Sequence, residues 1–193
     1  MSIAPWRSRL SGALHRNRSL IYSRYVQLAT LRLDGTPANR TIVFRGFLDE
    51  TNILKFITDS RSQKTEEIHH NNQGEICWYL PQTREQFRIT GKLILVGENH
   101  KNLELIKARE SLWQEISDAA KTQFSWPEPR QKRANQEEFN TPNSHPIKPL
   151  SNFLLLLLEP EKVDHLELRG EPQNRHIYWQ NQEGIWLSEV VNP

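Results

Sequence analysis

The chain has 193 residues, with 25 lysines and arginines against 23 aspartates and glutamates, a formal net charge of +2 and a pI near 8.7. That length suits one domain able to bury roughly 70% of its unfolded surface, and so small a charge excess argues against a dedicated nucleic-acid binder. The longest apolar stretch, Phe153 to Leu158, falls far short of the roughly 20 residues of a membrane helix. The lone cysteine, Cys77, rules out an internal disulfide; it reads as a small buried hydrophobe in a reducing compartment such as the cytoplasm.

Residues 1–24 carry Arg7, Arg9, Arg16, Arg18 and Arg24, no acid, and no hydrophobic core of a secretory signal. Trp6, Leu10, Ala13 and Leu14 recur at helical spacing, which predicts a helix over 4–19 that docks its apolar stripe and leaves its arginines in water. Tyr25 to Leu33 and Pro37 to Phe47 flank an Asp34-Gly35 turn and predict a hairpin, with Arg40 near the start of its second arm. Ile53 to Thr58 reads as a third strand, and Thr58 to Ser62 leads into a short helix, Gln63 to His70. The apolar run Ile76 to Leu80 and the long run Arg84 to Val96 follow, the latter with Gly91 where a strand would bend around a barrel. A helix is expected over Leu103 to Thr122. Trp126 to Pro149 then contains five prolines and reads as a long loop, either a cover for a cofactor or a surface excursion. Phe153 to Leu158 predicts a buried strand ended by Glu159-Pro160, and alternation from Val163 to Leu168 predicts another. With no repeat and no internal boundary, the expectation is one domain over 1–193, mainly β with flanking helices (α+β), built on a barrel of about six antiparallel strands.

The chemistry concentrates between Asn39 and Gly91. A phosphate monoester carries nearly two negative charges, and a bidentate arginine, a lysine, hydroxyls and helix-start amides are the groups that satisfy it. Arg40, Ser62 and Lys64 supply this set. Taken one at a time, they read equally as solvated charges and a helix N-cap. His69-His70 are neighbours that diverge on a helix and make a poor metal pair. Glu66-Glu67 and Glu137-Glu138 lack the opposed geometry of paired-carboxylate catalysis and read as solvated charge.

The order Asn39-Arg40-Thr41-Ile42-Val43-Phe44-Arg45, Ile57-Thr58, Ser62-Gln63-Lys64, Gln86 and Gly91 resembles the pyridoxamine 5′-phosphate oxidase family. Val163-Asp164-His165-Leu166, Arg175, Tyr178, Trp186 and the terminal Asn192-Pro193 are similar to its closing strands. Trp126-Pro127 and the pattern from Leu166 to Val191 resemble its cyanobacterial and plant-related branch of FMN-binding domains. The resemblance spans about residues 20 to 193 and implies an FMN-binding split β-barrel that works as a homodimer, with no nucleic-acid or membrane partner. It implies that Arg40 and Lys64 meet the FMN phosphate beside Ser62 and Gln63. The backbone from Arg40 to Val43, with Ile57 and Thr58, would line the flavin. Gln86 would sit at the ring edge, and Arg175 would reach it from the partner subunit. Arg45, at the end of the same motif, carries the charge of the lysine that helps the family's vitamin-processing members hold the substrate phosphate. Other positions depart from the family. Gln63 replaces an arginine and Leu166 a tryptophan, the helix around Trp113, Ser117 and Asp118 has no matching arginine, and Pro172-Gln173-Asn174 replaces an Arg-x-His. The implied function is an FMN-dependent oxidoreductase whose substrate site differs from that of the vitamin B6 oxidases. A non-catalytic split-barrel module for FMN or haem, and a true B6 oxidase with substitute contacts, are the alternatives.

Overall fold

A computed structural model of the chain describes residues 3–140 and 147–193. Its first helix, α1 (Pro5–Arg16), buries Trp6, Leu10 and Ala13, as the stripe requires. It ends three residues before the expected 19, because Asn17 turns out of the helix and is itself fully buried. The Asn17 amide donates to the Ala13 carbonyl at 2.8 Å, and its Oδ1 accepts from the Gln82 N–H at 2.8 Å.

The hairpin forms as β1 (Tyr25–Leu31) and β2 (Pro37–Val43), in register from Tyr25 opposite Val43 to Leu31 opposite Pro37. There follow β3 (Leu54–Asp59), α2 (Gln63–His70), β4 (Gln73–Leu80) and β5 (Glu85–Val96). The helix expected over Leu103 to Thr122 is two helices, α3 (Leu103–Glu115) and α4 (Asp118–Thr122). Ser117 breaks it by adopting extended backbone and accepting a cap from the Ala120 N–H, a role serine fills better than it fills a helix interior. Part of the expected loop, residues 141–146, lies outside the described residues.

Glu159-Pro160 does not end a strand. β6 (Phe153–Glu167) runs through it for 15 residues and pairs with β5 along its whole length. The register shifts between Thr90 and Gly91, so that Gly91 faces Pro160, Thr90 faces Lys162 and Glu161 is the extra residue. A bulge is where a central strand tolerates a residue without an N–H. β7 (Asn174–Gln180) and β8 (Trp186–Val191) complete the chain.

The sheet order is β2-β1-β4-β5-β6-β7-β8, and β3 pairs with the first half of β6. The Arg45 N–H donates to the Lys55 carbonyl and the Lys55 N–H to the Gly46 carbonyl, both at 2.8 Å, which joins the end of β2 to β3. Six strands therefore close a ring, and the β7–β8 hairpin extends it along the second half of β6. Inside the ring lie Trp6, Val26, Leu28, Phe44, Phe56, Trp78, Phe87, Leu156 and Leu158. The opposite face of β6 sends Phe153, Leu155 and Leu157 against Leu112, Trp113, Ile116 and Phe124. Burial on both faces explains why this strand reads as an unbroken apolar run without alternation.

Candidate functional site: a lysine–hydroxyl cleft beneath the tryptophan loop

β3 delivers Thr58 and Asp59 to the start of α2, where the chain turns through residues 60–62. Lys64 Nζ donates to Thr58 Oγ1 at 3.0 Å and to Ser62 Oγ at 3.1 Å, and the two hydroxyls lie 3.2 Å apart. No carboxylate pairs with Lys64 among the described residues. Burial, then the like charge of Arg40, pushes its ammonium below the usual lysine range. Ser62 stands at the N-cap position of α2 but does not cap it with its side chain: its hydroxyl donates to the Asp59 carbonyl at 2.8 Å and makes no bond to the helix amides.

Arg40 reaches the same neighbourhood from β2, held from behind. Its Nη2 donates to Glu67 Oε2 at 2.7 Å, its Nη1 donates to Thr30 Oγ1, and the Thr30 hydroxyl donates to Glu67 at 2.6 Å. Glu67 is 2% exposed, so its reading as solvated charge is wrong. It is buried with Thr65 and Ile68, and helical spacing did not mark it, because a residue adjacent to Ile68 lies off the i, i+3 row that links Thr65 to Ile68.

The cleft beside Lys64 has a volume of about 670 Å³ and is walled by Ile57, Thr58, Ser62 and, from the long loop, Trp126, Arg133 and Phe139. Trp126 and Phe139 meet edge to face with centroids 5.9 Å apart, and the Arg133 guanidinium sits 4.6 Å over the Phe139 ring. Arg61 ties this wall down. It grips Asp59 with two bonds of 2.9 and 2.6 Å and donates to the Trp126 carbonyl at 2.9 Å and the Phe124 carbonyl at 3.2 Å. Asn152 adds bonds to Asp59 and to the Phe124 carbonyl. The Asp59–Arg61 pair was missed in the sequence, where only its i, i+2 spacing marked it.

The remaining expected residues lie elsewhere in the single chain. Ile42 is 7% exposed and packs into the ring, so it can offer only backbone. Gln63 borders a neighbouring polar cleft with Arg61 and Glu128. On the outer face of the sheet, Thr41, Gln27, Cys77, Arg88, Asp164 and Ile177 align on one rung across six strands. Val43 faces Tyr25, while Tyr79, Gln86, Leu166 and Arg175 share the rung beside it. Arg175 binds Asp164 through two bonds of 3.0 and 2.7 Å, and Arg88 shares that carboxylate. Burial raises the Asp164 pKa, but the hydrogen bonds from Arg175 and Arg88 outweigh it and leave a net lowering. Cys77 is only half-buried on this face, facing Gln27 and Arg88 across the strands rather than the core, and burial raises its thiol pKa. Arg45 opens onto a further pocket at the end of α1.

A ring of six antiparallel strands with an outer hairpin defines the split-barrel cofactor-binding class. A family model described as pyridoxamine 5′-phosphate oxidase, FMN-binding domain, matches residues 3–97. Pyridoxine/pyridoxamine 5′-phosphate oxidase 2 of Arabidopsis thaliana is 38% identical over 200 residues, spanning 99% of this chain and 98% of that protein. The crystal structure of a pyridoxamine 5′-phosphate oxidase-related, FMN-binding protein from Nostoc punctiforme PCC 73102 is 55% identical, with a TM-score of 0.96 over the full length of both chains. PhzG from Burkholderia lata 383, at 18% identity and a TM-score of 0.78 over 97% of this chain and 91% of its own, shares the fold. The chain belongs to the pyridoxamine 5′-phosphate oxidase-related, FMN-binding family, and its cofactor is FMN. The donor set fits that cofactor, since a half-buried ammonium with only hydroxyl partners and a second cation behind it lacks an anion of the phosphate kind. No helix among the described residues is long and apolar enough to cross a membrane.

Proposed function

We propose that the chain is an FMN-dependent oxidoreductase that acts on a small molecule as a homodimer, with a substrate site built differently from that of the vitamin B6 oxidases. The observation that carries this reading is Lys64, a cation held by Thr58 and Ser62 and paired with no carboxylate among the described residues. Lys64, Ser62 and Thr58 would hold the cofactor phosphate, and Arg40, fixed by Glu67, would add its remaining N–H donors. Bound FMN supplies two-electron redox chemistry at its ring, while the protein orients it and tunes its electrostatics. Ile57 would pack against the cofactor, and the Trp126–Phe139 wall would shield it from water. Gln86 and Arg175 share a rung on another face, which supports a site completed by the sheet face of a second copy.

The departures at Trp113, Ser117 and Asp118 and at Pro172-Gln173-Asn174 support a substrate pocket distinct from the B6 enzymes. Losing charge-assisted contacts to a phosphate costs roughly 1.5–3 kcal/mol each. The full-length likeness to the Arabidopsis oxidase favours a second reading, a B6 oxidase with replacement contacts. The test is the visible spectrum after FMN is added, for the native chain and for Arg40→Ala combined with Lys64→Ala. Flavin bands retained by the native chain and lost in the double variant are expected. Failure of the native chain to retain FMN, or a Soret band in place of flavin bands, overturns the proposal. Hydrogen peroxide and aldehyde formed from pyridoxamine 5′-phosphate by the FMN-loaded protein would decide for the second reading.

A further inference from the structure

His165 of β6 and His176 of β7 stand opposite one another in register, and their rings stack with centroids 6.0 Å apart. Phe87 backs His165 at 4.0 Å, and Tyr178 lies against His176 at 6.1 Å. Glu167, two residues beyond His165 on the same face of β6, brings its Oε1 to 4.0 Å from His165 Nε2. One donor atom from each of His165, Glu167 and His176 lies within 4.8 Å of the other two. None of the three lines the Lys64 cleft.

Both imidazoles are short of a partner. His165 is 0% exposed, and the Glu85 carboxylate, 2.9 Å from Nε2, accepts the N–H there; a neutral ring then keeps a lone pair on Nδ1. That Nδ1 and the Nδ1 of His176 are both sealed from solvent and bond nothing, whereas a buried polar atom ordinarily has a hydrogen-bond partner. A metal-bound histidine has this arrangement, one nitrogen on the ion and the other N–H held by a carboxylate. Two imidazole nitrogens and a carboxylate oxygen suit a zinc-type ion, while magnesium and calcium take oxygen donors. We infer that His165, His176 and Glu167 form a binding site for a divalent first-row transition metal of the zinc type, with Glu85 orienting His165. Bonds of about 2.0–2.1 Å put donors roughly 3.3 Å apart around a tetrahedral ion, so the cluster must contract. The Glu167 side chain, 28% exposed, is the one able to move. It is held by Arg9 Nη1, which donates to Oε1 at 3.2 Å, and by Asn174, which donates to Oε2 at 3.2 Å. Arg9 therefore competes with a metal for Oε1. Its side chain is 42% exposed, and so exposed an ion pair is weak enough to open.

The site is tested on the FMN-loaded full chain, freed of metal with a chelator and then of the chelator, by calorimetric titration with zinc chloride and, as a control, magnesium chloride. One zinc per chain is expected, and no magnesium. His176→Gln and Glu167→Gln should each weaken zinc by at least the roughly 10–100-fold that losing only a ligand's hydrogen-bond partner costs. Arg9→Gln should instead tighten zinc, because it removes the competing cation. A cluster with a purely structural role gives no such opposition of signs. Zinc that does not bind, or that Arg9→Gln fails to tighten, overturns the inference. So does zinc held equally well by His176→Gln, which would mark adventitious capture by histidines elsewhere on the chain. Should His176→Gln fail to fold, Glu167→Gln and Arg9→Gln decide, since both alter partly exposed side chains.

Discussion

Glu85 shows how much one carboxylate can hold. Its side chain is 8% exposed. It accepts from Arg16 of α1 at 2.8 Å and lies 2.9 Å from His165 Nε2, while Arg9, two turns earlier on α1, binds Glu167 beside the same histidine. Burial raises the Glu85 pKa, but the bonds from His165 and Arg16 outweigh it and bring it from 4.5 down to about 2. A carboxylate depressed in the folded state stabilises the fold above its unfolded pKa and loses that contribution as pH falls through the folded value. Native stability should therefore drop between about pH 4.5 and 2. Glu85→Gln should lose on the order of 2–3 kcal/mol at pH 7 and show a flatter acid limb. Urea unfolding at pH 3, 5 and 7 checks this, and equal acid limbs in the two proteins would refute the clasp. Sequence spacing could not reveal it, because Arg16, Glu85 and His165 meet only through the docking of α1. The arginines expected in water are partly spent on this contact.

At the scale of elements, β1, β2, β3, β5 and α2 were legible because local pattern and burial agree there, and these four strands end within a few residues of their expected limits. What failed was continuity. Pro160 signals a strand end when read alone, and only its long-range partner Gly91 shows why the strand continues. A Cβ on Gly91 would lie 2.0 Å from the Glu159 carbonyl oxygen and 2.9 Å from Pro160 Cα, both backbone atoms that cannot swing away. Gly91→Ala should therefore cost about 3 kcal/mol or more, measured as a fall in the urea midpoint. A cost below about 1 kcal/mol would show that the bulge relaxes easily. The Lys64 cleft was half legible: Thr58, Ser62 and Lys64 sit in consecutive segments, whereas the Trp126–Phe139 wall carries no periodic pattern and is placed by Arg61 and Asn152.

For the whole molecule, the single chain leaves the expected site residues in two places, with Lys64 in its cleft and Gln86 and Arg175 out on the sheet. Tyr25 and Tyr79, 43% and 45% exposed, sit on strands that carry this face, and large exposed aromatics of that kind are common at protein interfaces. Light scattering at micromolar concentration should give a dimer mass when FMN is bound. A monomer that still retains FMN tightly would show that one chain is a complete site. The fold class was recoverable from the sequence because residues such as Arg40 and Lys64 carry their motif locally. The assembly was not, because nothing in one chain's periodicity states which face meets a copy.

β6 gives the molecule a common spine. Its Leu156 and Leu158 fill the ring while Leu155 and Leu157 anchor the outer helices, so the two layers share a backbone as well as a boundary. Neither layer can separate without stripping the other of its wall. The chain should thus come apart in one cooperative step, with no stage at which the barrel survives its helical coat.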